Sequence, residues 1–155
     1  MTAPGAPSVR DAIEQLYAEN WLRIDGRSDA TVGALFADDG VLRYADLTWI
    51  GPGAIDGFYT PYRQSNHEKG RRTRHLSVNH HITPLAEQNF RVRGVVFVFS
   101  GIGSVLPLLS SAPSGVADFD DVCVLDGGGI ARFRERATTM IFADAGSFDF
   151  SKVAR

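Results

Sequence analysis

The stretch Arg74-His75-Leu76-Ser77-Val78-Asn79-His80-His81-Ile82 holds three of the chain's four histidines and reads as a β-strand. Side chains alternate along a strand, so His75, Ser77, Asn79 and His81 are expected on one face and Leu76, Val78, His80 and Ile82 on the other. One face is polar and titratable, the other mostly apolar. Either the polar face lines a cavity, or the strand is a plain edge strand wetted by solvent.

After this strand the chain is nearly all β. Asn89 to Ser100 begins by alternating and then runs Val95-Val96-Phe97-Val98-Phe99, the pattern of a strand buried on both faces. Gly115 to Leu125 and Ile130 to Phe142 read as two further strands, joined by the hairpin signal Asp126-Gly127-Gly128-Gly129. Gly101 to Ser114 is a loop with unusual apolar content, readable as a lid, an oligomer contact or a strand extension.

The N-terminal half is helical first. Ser8 is the expected N-cap of a helix over 9–24, with Asp11 as its acidic partner. Ile13, Leu16, Tyr17, Trp21 and Ile24 recur at helical spacing, and Tyr17, Trp21 and Asp25 follow one side. A short second helix is expected over 30–36, then a turn at Ala37-Asp38-Asp39-Gly40 and a strand, Val41 to Tyr44. Leu47 to Ile50 fits another short strand. A third helix follows Gly51-Pro52-Gly53, with Ile55, Phe58, Tyr59 and Tyr62 inward and Pro61 kinking or ending it. The implied architecture is α+β, with helices gathered against one face of a curved sheet.

Composition bounds the partners. The 155 residues are 44% hydrophobic and 22% charged, with net charge −2. That fits one folded domain, here 9–145, between a flexible leader, 1–8, and a tail, 146–155. No basic run suggests nucleic acid, and no segment reads as a signal peptide or membrane span, so a cytoplasmic protein is expected. Cys123 reads as a buried, inert thiol. Phosphate-cradling loops, dinucleotide fingerprints and nucleophilic triads are missing from the pattern.

Several segments together resemble the SnoaL-like branch of the nuclear-transport-factor-2-like superfamily. They are Ala34-Leu35-Phe36-Ala37-Asp38-Asp39-Gly40-Val41, Gly51 with Ala54-Ile55, Thr73-Arg74-His75-Leu76 with Asn79, and Glu135-Arg136. The resemblance implies a cone-shaped α+β barrel, in which three N-terminal helices and a strongly curved, mostly antiparallel sheet enclose a pocket. It also implies frequent homodimerisation through the outer face of the sheet. The superfamily includes scytalone dehydratase, ketosteroid isomerases, polyketide cyclases and non-catalytic members, so the fold leaves the function open.

The resemblance places Asp25 and His75 where dehydratase-like relatives carry a carboxylate–histidine pair, and Tyr44 where they carry a phenol. A histidine can take or return a proton near neutral pH, and a carboxylate beside it fixes its tautomer. The plainer alternative makes Asp25 a helix cap and His75 a satisfied core residue. Tyr17, Trp21, Phe58, Tyr59 and Tyr62 read as substrate-binding walls or as ordinary core. Asn79 is expected to orient the substrate, whereas His80 and His81 are expected to be background. Asp121 and Arg136 match family positions, as pocket groups or as a surface pair. The chain departs from the scytalone-dehydratase pattern because no second histidine exists in 95–99, and Ala131 replaces an expected tryptophan.

The expected function is therefore a cofactor-independent lyase or isomerase (dehydratase, double-bond isomerase or cyclase) acting on a small, largely apolar, cyclic substrate, with secondary metabolism as the setting the resemblance suggests. The alternative is a non-catalytic module that binds a hydrophobic small molecule or only dimerises. Neither a metal nor another cofactor is expected.

Overall fold

A computed structural model describes residues 7–109 and 112–144. Most of the expected leader and the whole of the expected tail lie outside the described residues. The first helix, α1, spans Val9–Ile24 and begins with a reciprocal cap: the Asp11 amide donates to Ser8 Oγ, and the Ser8 amide donates to the Asp11 carboxylate. Its inward side is Ile13, Leu16, Tyr17 and Ile24, all nearly or fully buried.

The expected second helix is not there. Only one 3₁₀ turn forms, Gly33–Leu35, between α1 and the strand β1, Phe36–Tyr44. Gly33 explains the shortening: it is pressed against the next helix, α2 (Pro52–Glu68), and donates its amide to Asp56 Oδ1 at 2.7 Å. A Cβ at Gly33 would sit 2.2 Å from the Pro52 carbonyl oxygen. Glycine also disfavours a longer helix. Val32, Leu35 and Phe36 are nevertheless buried.

The expected turn at 37–40 is instead an irregularity inside β1, which shifts register between Phe36 and Val41 where it meets the last strand. β2, Leu47–Ile50, pairs antiparallel with β1. Helix α2 does not end at Pro61 but continues through it to Glu68. Pro61 is exposed, so its ring is accommodated on the solvent side, at the loss of the amide that would answer Gly57.

The remaining strands are β3 (Arg71–Pro84), β4 (Asn89–Ile102), β5 (Gly115–Leu125) and β6 (Ala131–Ala143). One mixed six-stranded sheet results, in the order β2-β1-β6-β5-β4-β3, with β1 and β6 parallel and all other neighbours antiparallel. The sheet does not close into a barrel, and two helices rather than three accompany it. At the β5–β6 hairpin, Asp126 Oδ1 accepts from the amides of Gly128 and Ile130, both at 2.9 Å.

The run 95–99 is covered on one face only. Val96 and Val98 are buried beneath the helices, whereas Val95, Phe97 and Phe99 on the outer face are only half-buried. The 101–114 segment lengthens β4 to Ile102 and then leaves Val105, Leu106 and Leu109 exposed. Cys123 is fully buried, and burial pushes its thiol pKa up. Among the described residues no helix is long and apolar enough to cross a membrane.

The least expected feature of the core is ionic. Asp121 on β5 and Arg136 on β6 are 0% and 2% exposed, and Arg136 Nε donates to Asp121 Oδ2 at 3.0 Å. This overturns the surface-pair reading. The same carboxylate accepts the Tyr17 hydroxyl at 2.6 Å and the Ala137 amide at 3.0 Å. Burial pushes the Asp121 pKa up, against the pull of Arg136 and these donors. Such a pair is held by its complete set of hydrogen bonds, and removing one partner strands the other charge. Asp121→Asn should therefore cost about 3–5 kcal/mol of stability in denaturant unfolding; a loss under about 1 kcal/mol, the range of an exposed pair, would contradict this account.

Candidate active site

A cavity of about 80 Å³ lies between the helices and the inner face of the sheet. Its apolar walls come from Ile24 and Trp21 on α1, Phe58, Tyr59 and Tyr62 on α2, and Leu42, Val96, Val98, Ala117 and Met140 on the sheet. His75, Tyr44, Thr138 and Arg136 add the polar atoms.

Asp25 is the residue at which α1 stops, capping it just before Gly26 takes a positive φ of 66°. This stop aims its carboxylate at the exposed edge of β3. There it receives three hydrogen bonds. His75 Nδ1 lies 2.6 Å from Oδ1, Thr73 Oγ1 donates to Oδ1 at 2.7 Å, and the His75 amide donates to Oδ2 at 3.1 Å. The His75 and Asp25 side chains are only 10% and 3% exposed, so water barely screens the pair. In the tautomer whose Nδ1–H donates to Asp25, Nε2 is the ring nitrogen left to act as acceptor.

Trp21 holds the other side of the imidazole. Its ring stacks on His75 at 4.8 Å between centroids and 3° between planes, and its indole N–H donates to Ser77 Oγ at 2.8 Å. The Arg136 guanidinium carbon lies 5.0 Å from the Trp21 ring centroid. The buried pair thus props the indole, and the indole props the histidine.

The other sequence candidates scatter. Tyr44 lines the cavity, but Tyr17 does not; its hydroxyl is committed to Asp121 behind the wall. Asp121 is likewise outside the lining. Asn79 is exposed at a positive φ of 59°, on a bulge of β3 that shifts register between Val78 and His81. That bulge breaks the strict alternation and turns His80 inward. His80 stacks on Tyr17 with centroids 4.6 Å apart, and its Nδ1 lies 2.7 Å from Glu14 Oε2. His81 and His67 are exposed.

Thr73 and Ser77 were not singled out from sequence, although both sit two positions from His75 on its strand face. Alternation was the available signal. Among the described residues no group of three or more His, Cys, Asp or Glu is placed to hold a metal.

The phenols around the cavity are held neutral. Burial, with Tyr62 adding to it, pushes Tyr44 up to about 12; burial also pushes Tyr59 to about 12 against the pull of Arg136, and raises Tyr62. An unfolded tyrosine loses its proton near pH 10. Between about pH 10 and 12 the folded chain therefore binds more protons than the unfolded one, and stability falls as pH rises. The thermal midpoint should be flat below pH 9 as far as these phenols are concerned and drop between 10 and 12. Tyr59→Phe should lessen that drop, and an unchanged slope would show that the phenol is not desolvated.

The SnoaL-like domain family matches residues 8–137. Among solved structures, ActVI-ORFA from Streptomyces coelicolor superposes with a TM-score of 0.73 at 16% identity, over 86% of this chain and 97% of that one. A protein named for scytalone dehydratase, from Novosphingobium aromaticivorans, gives 0.65 at 21% identity, over 84% and 83%. A hexachlorocyclohexane dehydrochlorinase, LinA-type3 from Novosphingobium barchaimii, gives 0.65 at 14%, over 86% of both chains. At these identities the likeness speaks for the fold alone. No curated protein matches the sequence significantly. With its family match running from the cap of α1 into β6, the chain belongs to the SnoaL-like domain family.

Proposed function

We propose that this protein is a cofactor-independent acid/base enzyme, a lyase or isomerase working on a small, largely apolar, cyclic substrate. One observation carries the reading: His75 lines an apolar cavity and its Nδ1 lies 2.6 Å from the carboxylate of Asp25, which is itself outside that lining.

In this mechanism His75 Nε2 takes a proton from a substrate carbon next to a carbonyl. The C–H electron pair moves toward the carbonyl oxygen, and the imidazolium is balanced by Asp25. Tyr44, in the same lining and with its phenol pKa raised to about 12, donates to that oxygen as charge builds there. The imidazolium then returns the proton. Delivery to a hydroxyl on the adjacent carbon expels water and makes a double bond; delivery to another carbon of the dienol moves one. A single histidine can serve both halves because the proton leaves and returns through the same atom. Trp21, stacked flat against the ring, limits its rotation. Relatives named for a dehydratase and a dehydrochlorinase support an elimination of this kind.

The proton-abstraction step is testable without knowing the natural substrate. In deuterated water, wild-type protein should speed exchange of the acidic C–H of a small cyclic ketone such as 2-tetralone, read by proton NMR. His75→Ala and Asp25→Asn should each reduce this by about 10²–10⁴-fold, the usual worth of a positioned acid/base group. Equal exchange by wild type and both variants would leave a non-catalytic binding cavity as the better reading.

We further propose a homodimer formed through the outer face of the sheet. Cross-strand partners Leu76, Phe97, Val116 and Phe142 make an apolar row across β3, β4, β5 and β6. Leu76 and Phe142 in that row are 50% and 68% exposed. The apolar run 95–99 makes physical sense if a second chain covers this face. Light scattering after size exclusion should give twice the chain mass, and Leu76→Lys with Phe142→Lys should return it to one. A wild-type monomer at micromolar concentration would refute the dimer.

A further inference from the structure

A second pocket, of about 390 Å³, opens beside the cavity, between the end of α1, the last turns of α2 and the edge strand β3. Five arginines line it: Arg27, Arg63, Arg71, Arg72 and Arg74. The one acidic residue in its lining is Asp25, and both carboxylate oxygens of Asp25 already accept hydrogen bonds from Thr73 and His75.

The arginines are not equally occupied. Arg63 donates to the carbonyls of Ala30 and Ser28, and Arg74 to that of Thr73. Arg27, Arg71 and Arg72 form no ion pair among the described residues. Elsewhere the chain pairs its arginines readily: Arg10 with Glu14, Arg23 with Glu19, Arg43 with Glu135, Arg91 with Asp120. Arg72 follows Arg71 on β3, so its side chain leaves on the other face, where it borders a separate pocket with Arg74. Arg27 and Arg71, unpaired beside Arg63 in one concave pocket, concentrate positive potential there. Guanidinium groups offer planar, paired donors that match the oxygens of phosphate and carboxylate.

We propose that this pocket is an oxyanion-binding site, taking the phosphate or carboxylate group of a ligand, with Arg27 and Arg71 as its principal donors. Asp25 and Thr73 form part of its wall, while His75, bonded to that same Asp25, faces the apolar cavity. A ligand with an acidic end and an apolar body could therefore occupy both spaces, but anion binding itself does not depend on the acid/base reading.

Isothermal titration of the full chain at low salt, with inorganic phosphate and separately with benzoate, tests the site. At least one should bind saturably at one per chain; phosphate alone would mark a phosphate-bearing ligand, and benzoate alone a carboxylate. The double variant Arg27→Gln/Arg71→Gln should weaken the binding at least about tenfold, as expected for lost charge-assisted hydrogen bonds. Binding is read without turnover, which keeps this result separate from the fate of the proposed chemistry. Should the double variant not fold, arginine Nε–H signals of wild type provide the readout, those of Arg27 and Arg71 shifting with added anion. Absence of saturable binding by either anion, binding unchanged in the double variant, or shifts confined to other arginines would overturn the proposal.

Discussion

The Asp121–Arg136 pair ties together what the apolar core alone would leave loose. Its two charges join β5 to β6, and the carboxylate also takes the Tyr17 hydroxyl from α1. On the other side, the guanidinium faces Trp21 and Phe133, with its carbon 4.5 Å from the Phe133 ring centroid. Apolar packing would allow α1 to slide along the sheet at modest cost, whereas these directional contacts admit one register. The position of Trp21, and through it the plane of His75, follows from that register. Fold and cavity are thus coupled by one ion pair.

The site itself works by economy. Relatives of the scytalone-dehydratase type, as the sequence comparison of residue patterns implies, would place a second histidine on β4. Here Val96 and Val98 fill the inner face of that strand, and His75 is the one imidazole in the cavity lining.

What could be read from sequence followed the local rules that this chain obeys. Ser8 and Asp11 signalled the start of α1, Gly26 its end, and Asp126-Gly127-Gly128-Gly129 the last hairpin, because each depends on neighbours within a few positions. What could not be read depended on distant contacts. Gly33 prevents a helix because α2 presses on it. The bulge after Val78 carries His80 inward and Asn79 outward, and simple alternation cannot see an extra residue. Asp121 and Arg136 resemble any surface pair until the fold buries both. His75 and Asp25, 50 positions apart, were brought together on paper only by the family resemblance; neither periodicity nor spacing could have joined them.

The most direct test of the central claim is the protonation of the His75 ring, read by long-range proton–nitrogen NMR near neutral pH. The account predicts a proton on Nδ1, slowly exchanging and shifted downfield by its hydrogen bond to Asp25, and a signal that disappears in Asp25→Asn. A ring protonated on Nε2 instead, or an Nδ1 signal indifferent to Asp25→Asn, would contradict it.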